Sequence, residues 1–149
     1  MNTKTALITG VGPGTGSALA RRFAAGGYRV AMLARNGERL AALQAELPGS
    51  RSYVCDVTDP GVLATTLDAV VADMGPPAVV VHNAVGGAFG NFLDIDPAVL
   101  ERNFQVNVMA LLHLARHLTP AMVAAGEGAI VITGNTSALR GKANFAGFA

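Results

Sequence analysis

Short β-branched runs alternate along the chain with longer stretches in which apolar side chains recur every three or four residues. Residues 6–9 (Ala-Leu-Ile-Thr) read as a first strand, ended by a cluster of glycines. From Gly14 a helix with Leu19 and Phe23 one turn apart runs to Gly26-Gly27, a natural C-terminal stop. Residues 29–34 form a second strand, with Val30, Met32 and Leu33 apolar. Asn36 is an N-cap for a helix carrying Leu40, Leu43 and Leu47, and Pro48-Gly49 ends it. Residues 52–56 read as a third strand. Asp59-Pro60 then supplies a cap and a first-turn proline for a helix with Leu63, Leu67, Val70, Val71 and Met74 on one side, closed by Gly75-Pro76-Pro77. Residues 78–81 are continuously apolar, as a strand covered on both faces should be. After a glycine-rich loop at 86–90, Asp96-Pro97 opens a long helix, 96–125, that is apolar nearly all round over 106–118. Residues 129–133 are a fifth strand, followed by a loop at 134–141 and a short tail.

This alternation predicts an α/β fold: a parallel sheet with helices on both faces and right-handed crossovers. In such sheets ligands bind beyond the carboxyl ends of the strands, so the loops after each strand are the ones to inspect. A length of 149 residues allows one domain, 1–149, and no internal repeat divides it. Apolar residues make up 51% and charged residues 14%, against about 25% charge in ordinary soluble domains. That composition excludes intrinsic disorder. Eleven basic against ten acidic residues give no electrostatic footprint for nucleic acid. No uninterrupted apolar run reaches roughly 18–20 residues, so no membrane span is expected. The opening Met1-Asn2-Thr3-Lys4-Thr5 leads straight into a strand and does not read as a signal peptide. The lone cysteine, Cys55, has no partner for an internal disulfide, which fits a reducing, cytoplasmic setting.

The first loop reads Thr9-Gly10-Val11-Gly12-Pro13-Gly14-Thr15-Gly16. Glycines permit a tight turn and close approach of a pyrophosphate, and the following helix offers free N–H groups at its positive dipole end. The spacing is Thr-Gly-x-x-x-Gly-x-Gly rather than Gly-x-Gly-x-x-Gly, because Thr15 stands where the last glycine would fall. No Lys-Ser/Thr pair follows, which excludes a nucleotide-triphosphate P-loop. The bland alternative is a plain turn. The second strand ends Ala34-Arg35-Asn36. A carboxylate there would grip the ribose 2′-OH of NAD, whereas Arg35 suits a 2′-phosphate, so NADP is favoured over NAD; the alternative is a solvated arginine beside a helix cap. Asp56, followed by Val57, stands where it can accept from an adenine amino group or simply cap the local turn. Asn83-Ala84 lies beside the same crevice, where Asn83 either borders the ribose or ties two strand ends together.

Thr9-Gly10-x-x-x-Gly14-x-Gly16, Asp56-Val57, Asn83-Ala84-x-Gly86 and Asn107-Val108 together resemble the short-chain dehydrogenase/reductase family, in order and at familiar separations across the whole chain. The resemblance implies a Rossmann-type doubly wound parallel sheet in the order 3-2-1-4-5, incomplete at the C-terminal end, as a single truncated cofactor-binding domain. It implies an NAD(P) cofactor and hydride transfer with a small-molecule carbonyl or alcohol substrate. It also implies that Asn107 holds a water in a proton relay.

The match to that family breaks at the tail. Its chemistry uses a Tyr, a Lys four positions later and a Ser thirteen positions earlier. Here Phe148 takes the Tyr position, Asn135 takes the Ser position, and the Lys position lies beyond residue 149. A phenyl ring has no proton to exchange. Asn135 offers a substrate oxygen a hydrogen bond without a proton transfer, with Thr136 and Ser137 as the nearest hydroxyls. Lys142 lies too close in sequence for the family's Lys. Two functions are therefore carried forward: an NAD(P)-dependent oxidoreductase with Asn107 and Asn135 at its reacting end, and a non-catalytic dinucleotide-binding or scaffolding protein. No metal site is expected. His113 and His117 lie one turn apart on the long helix but have no third ligand at compatible spacing. Met32, Met74, Met109 and Met122 read as core filler. The excess of apolar residues points to surface covered by a partner, a homo-oligomer through the helix 96–125.

Overall fold

The computed structural model describes residues 3–148, so the reading of Met1-Asn2 and of Ala149 lies outside the described residues. Strands β1 (Thr5–Thr9), β2 (Arg29–Ala34), β3 (Arg51–Val54), β4 (Val79–His82) and β5 (Ala129–Ile132) form one sheet. Its order is β3-β2-β1-β4-β5, every pairing is parallel, and this is the order the motifs implied. β1 sits in the middle, with all five residues buried. Its side chains alternate between two apolar layers. Leu7 joins a cluster with Leu63, Leu67, Leu114 and Leu118, which come from helices α3 (Pro60–Met74) and α5 (Ala110–Ala125). Ile8 joins Ala20, Leu40 and Leu43 on the other face, under α1 (Thr15–Ala25) and α2 (Gly37–Glu46). Each fully buried leucine contributes about 2 kcal/mol by leaving water.

The capping expectations hold in atomic detail. The Asn36 side chain accepts from the Arg39 N–H, and Asp59 accepts from the N–H groups of Gly61 and Val62 ahead of Pro60. Met32, Met74 and Met122 are buried in the core as expected, whereas Met109, in the turn before α5, is only half-buried.

The strand ends differ from the sequence reading by one or two residues, and the long helix differs in kind. The third strand ends at Val54 rather than at residue 56, because Asp56 turns to its own neighbour Thr58. The fourth extends to His82, whose ladder partner is Thr9. The long helix is not uniform: α4 (Pro97–Phe104) passes through a π turn at Gln105–Met109 into α5. By length and composition the run Pro97–Ala125 is apolar enough to cross a membrane, contrary to the expectation of no span, although polar residues interrupt its apolar stretches. In the fold, Ala110, Leu114, Leu118 and Met122 of this run lie in the core. Its opposite flank leaves Phe104, Val108 and Leu112 exposed, and Val131 and Ile132 of the edge strand β5 are exposed as well.

Candidate functional site

The chain reverses its direction of growth across the sheet between β1 and β4, so the crevice opens above the carboxyl ends of those two strands. Gly10 ends β1 with φ of +68°, where a side chain is strained, and a Cβ there would stand 2.5 Å from the backbone of Ala84. Asn83 adds a second tie, its Nδ2 donating to the Gly10 carbonyl at 2.9 Å. The Asn83 side chain therefore joins two strand ends. Gly16, on the first turn of α1, packs against the Gly10 carbonyl, and a Cβ on it would come within 2.7 Å of Val11 Cα.

Gly12 and Gly14 behave differently. A Cβ on either would meet nothing within 4 Å, so this side of the loop is open. No side chain caps α1 at Gly14. Among the described residues, no protein acceptor meets the backbone N–H of Thr15 or Gly16. An open glycine face beneath unmet N–H groups at a helix start fits a phosphate.

Beside it the ends of β2 and β3 gather three charges. Arg35 is exposed and, among the described residues, has no acidic partner in an ion pair. Asp56 accepts at one oxygen from the Thr58 N–H (3.0 Å) and hydroxyl (2.8 Å), and its other oxygen faces Arg102 Nη2 at 3.4 Å. The Thr58 backbone N–H does most to hold the Asp56 carboxyl below its usual range, with the Thr58 hydroxyl and the charges of Arg102 and Arg35 adding to it against partial burial. Val57 behind it is buried. Arg102 was not legible in the sequence as a neighbour of Asp56, because 46 residues separate the two.

At the floor of the crevice lies a buried chain of hydrogen bonds. Thr9 Oγ1 accepts from the N–H groups of Asn83 and Ala84, both at 3.2 Å, and lies 2.9 Å from His82 Nδ1. The other ring nitrogen, Nε2, is 2.9 Å from the Val106 carbonyl. A carbonyl only accepts, so Nε2 carries the proton and Nδ1 accepts from the Thr9 hydroxyl. Burial pushes the His82 imidazole below its ordinary 6.5, against a smaller opposing effect of the Val106 carbonyl. The folded state therefore binds the His82 proton less readily than the unfolded chain does. This contribution to stability is complete above pH 6.5 and is lost as pH falls below it. Urea midpoints measured from pH 7.5 to 5 should fall with acidification, and a His82→Gln variant should lose part of that slope.

Asn107, in the π turn, uses both ends of its amide on one residue: Oδ1 accepts from the Gly86 N–H and Nδ2 donates to the Gly86 carbonyl, each at 2.8 Å. The tail folds back onto the neighbouring glycines. Gly90 N–H donates to the Asn144 carbonyl and Asn103 Nδ2 to the Gly147 carbonyl. The Phe148 ring rests on Gly87, where any Cβ would collide with it, and lies 5.4 Å from the ring of Phe89. Asn135 Nδ2 donates to the Phe148 carbonyl at 3.1 Å while Oδ1 accepts from the Ser137 N–H. Its amide, expected at a substrate oxygen, is thus held by the chain's own backbone. Lys142 Nζ sits 6.0 Å from the centre of the Phe145 ring. Of the chain's two tyrosines, Tyr53 donates to Asp73 away from this crevice, and burial pushes its phenol up to about 12. His117 pairs with Asp68 on α3 at 3.0 Å, while His113 borders a shallow groove of about 280 Å³ between α3 and α5.

Comparison with known proteins agrees with this geometry. A family model described as short chain dehydrogenase matches residues 4–149. D-erythrulose reductase of Gallus gallus is 35% identical over 129 residues, which is 86% of this chain and 51% of the relative. The crystal structure of an NAD+-bound xylitol dehydrogenase superposes with a TM-score of 0.91 at 33% identity, covering 99% of this chain and 58% of that one. A metagenomic short-chain oxidoreductase in complex with NADP gives 0.91 at 32% identity, covering 97% and 68%. The chain spans about half the length of the curated relatives it matches.

Proposed function

The chain belongs to the short-chain dehydrogenase family, and on that premise we propose that it binds NADP(H) at the carboxyl ends of β1 to β4 and serves an oxidoreductase acting on a small carbonyl or alcohol. The observation that carries this reading is the open face of Gly12 and Gly14 below the unmet N–H groups of Thr15 and Gly16. Gly10, Gly14, Thr15 and Gly16 would hold the pyrophosphate, Arg35 the 2′-phosphate, and Asp56 and Val57 the adenine. Asn83 and Ala84 would border the ribose, through their positions rather than the Asn83 amide, which is committed to Gly10. Bound there, the dinucleotide supplies the hydride exchanged with an alcohol or carbonyl carbon. Asn107 and Asn135 border the reacting end, where they hold Gly86 and the Phe148 backbone in place.

NADP is preferred to NAD in this reading because Arg35, without an ion-pair partner among the described residues, stands directly after β2 where a carboxylate would favour NAD. Arg35→Asp should weaken NADPH at least tenfold, about 1.4 kcal/mol, and NADH far less. Equal losses for the two dinucleotides in a fluorescence titration would refute the role of Arg35.

A second reading, a dinucleotide-binding protein without chemistry, is favoured by Phe148. It replaces the Tyr that the family's chemistry uses and has no proton to exchange, and Tyr53 is bonded to Asp73 with a raised pKa. NADPH oxidation across a panel of carbonyl substrates separates the two: turnover supports the oxidoreductase, and binding without turnover supports the binder. We also propose a homo-oligomer through helix 96–125, supported by exposed Phe104, Val108 and Leu112. Sedimentation should give a dimer or larger, and a stable monomer would overturn it.

A further inference from the structure

We propose that His82 is a positioning residue that couples the glycine turn after β1 to the helix residue Asn107, a coupling whose use in catalysis or binding rests on the dinucleotide reading above. Thr9 and His82 are ladder partners at the last positions of β1 and β4, and their side chains meet at 2.9 Å beneath the glycine turn. On the far side of the ring the partner is a carbonyl that the helix itself has released. In a regular α-helix the Ala110 N–H would bond Val106, four residues back. Here it bonds Gln105, five residues back. The Val106 carbonyl loses that regular donor, and His82 Nε2–H bonds to it instead. A π turn of this kind is stable only where something else satisfies the displaced group.

The π turn carries Asn107, whose amide clamps Gly86 from both sides. Gly86 precedes Gly87, the platform under the Phe148 ring. One imidazole therefore stands between two groups. On one side are Thr9, Asn83 and Ala84, tied to Gly10; on the other are Val106, Asn107 and Gly86. The ring must donate at one nitrogen and accept at the other, at opposite edges, which neither a single hydroxyl nor an apolar side chain does. A shift of the glycine turn on binding phosphate is transmitted through this ring to the segment bordering the reacting end.

The test is nuclear magnetic resonance on the whole chain. In the free protein, imidazole ¹⁵N shifts should report a neutral His82 with its proton on Nε2, and the Gly86 amide should show a hydrogen-bonded shift. Adding NADPH should move the Thr15 and Gly16 amides together with Gly86 and the Asn107 side-chain amide. In His82→Phe, NADPH should still move Thr15 and Gly16, while the response of Gly86 and Asn107 is lost. His82→Gln, which keeps a donor and an acceptor, should restore part of that response and serves alone if the phenylalanine variant does not fold. A proton on Nδ1, or an undiminished response in a folded His82→Phe or a lost response in His82→Gln, would overturn the proposal. If NADPH moves no signal in the wild type, the dinucleotide reading fails, and the tautomer together with the Gly86 shift in free His82→Gln still decides whether His82 holds the π turn.

Discussion

Gly10→Ala should lower stability by about 3 kcal/mol, enough to drop the thermal midpoint by roughly 10 °C in a chain of this size. Two costs add. The φ of +68° places an alanine in the left-handed region, which costs about 1 kcal/mol. The new Cβ would also stand 2.5 Å from the Cα and N of Ala84, backbone that cannot rotate away, and overpacking of that kind costs about 1–3 kcal/mol. Because the collision pushes apart the ends of β1 and β4, dinucleotide binding should disappear with stability. Gly12→Ala provides the contrast. Its Cβ meets nothing within 4 Å, so the fold should be nearly unaffected while NADPH binding weakens as the open face fills. If Gly12→Ala binds NADPH as well as the wild type does, the phosphate does not lie over that face.

Thr9→Val should cost about 3–5 kcal/mol in urea unfolding, although it changes the shape of the side chain very little. The hydroxyl serves three neighbours in a fully buried position: the N–H groups of Asn83 and Ala84, and His82 Nδ1. Leaving buried polar groups unpartnered costs about 1–3 kcal/mol each. Thr9→Ser keeps the hydroxyl and loses only a methyl group, so it should cost about 1 kcal/mol. Equal stability of the valine and serine variants would show that this hydroxyl does not hold the network together.

The alternation of strands and helices was legible because it follows from local signals, whereas the sheet order came only with the resemblance that the motifs carry. Apolar strand runs, glycine stops and the Asn36, Asp59 and Asp96 caps each act over a few residues, and the structure contains every one of these elements. The ends of β3 and β4 moved by one or two residues because Asp56 turns to Thr58 and His82 joins the ladder opposite Thr9. The π turn was not legible. Gln105–Met109 has the same apolar spacing as the helix around it, and the group that stabilises the extra residue, His82, lies 24 positions from Val106. Arg102 was invisible for the same reason, since helix spacing says nothing about which strand end a long side chain reaches.

Among the candidate residues, the glycines separate in the structure in a way the motif alone does not show. Gly10 and Gly16 are required by contacts within the chain, whereas Gly12 and Gly14 face open space. The three asparagines Asn83, Asn107 and Asn135 share one habit. Each spends its side chain on the backbone of a neighbouring segment, through Gly10, Gly86 and Phe148. Spacing nominates such residues for a site but does not say whether an amide faces a ligand or the chain's own backbone.

The most direct measurement is calorimetric titration of NADPH, and then of NADH, into the folded chain at low salt. One saturable site per chain, tighter for NADPH than for NADH, is expected if the open glycine face and Arg35 hold the dinucleotide. Saturable binding of neither dinucleotide to a chain that unfolds cooperatively would contradict it.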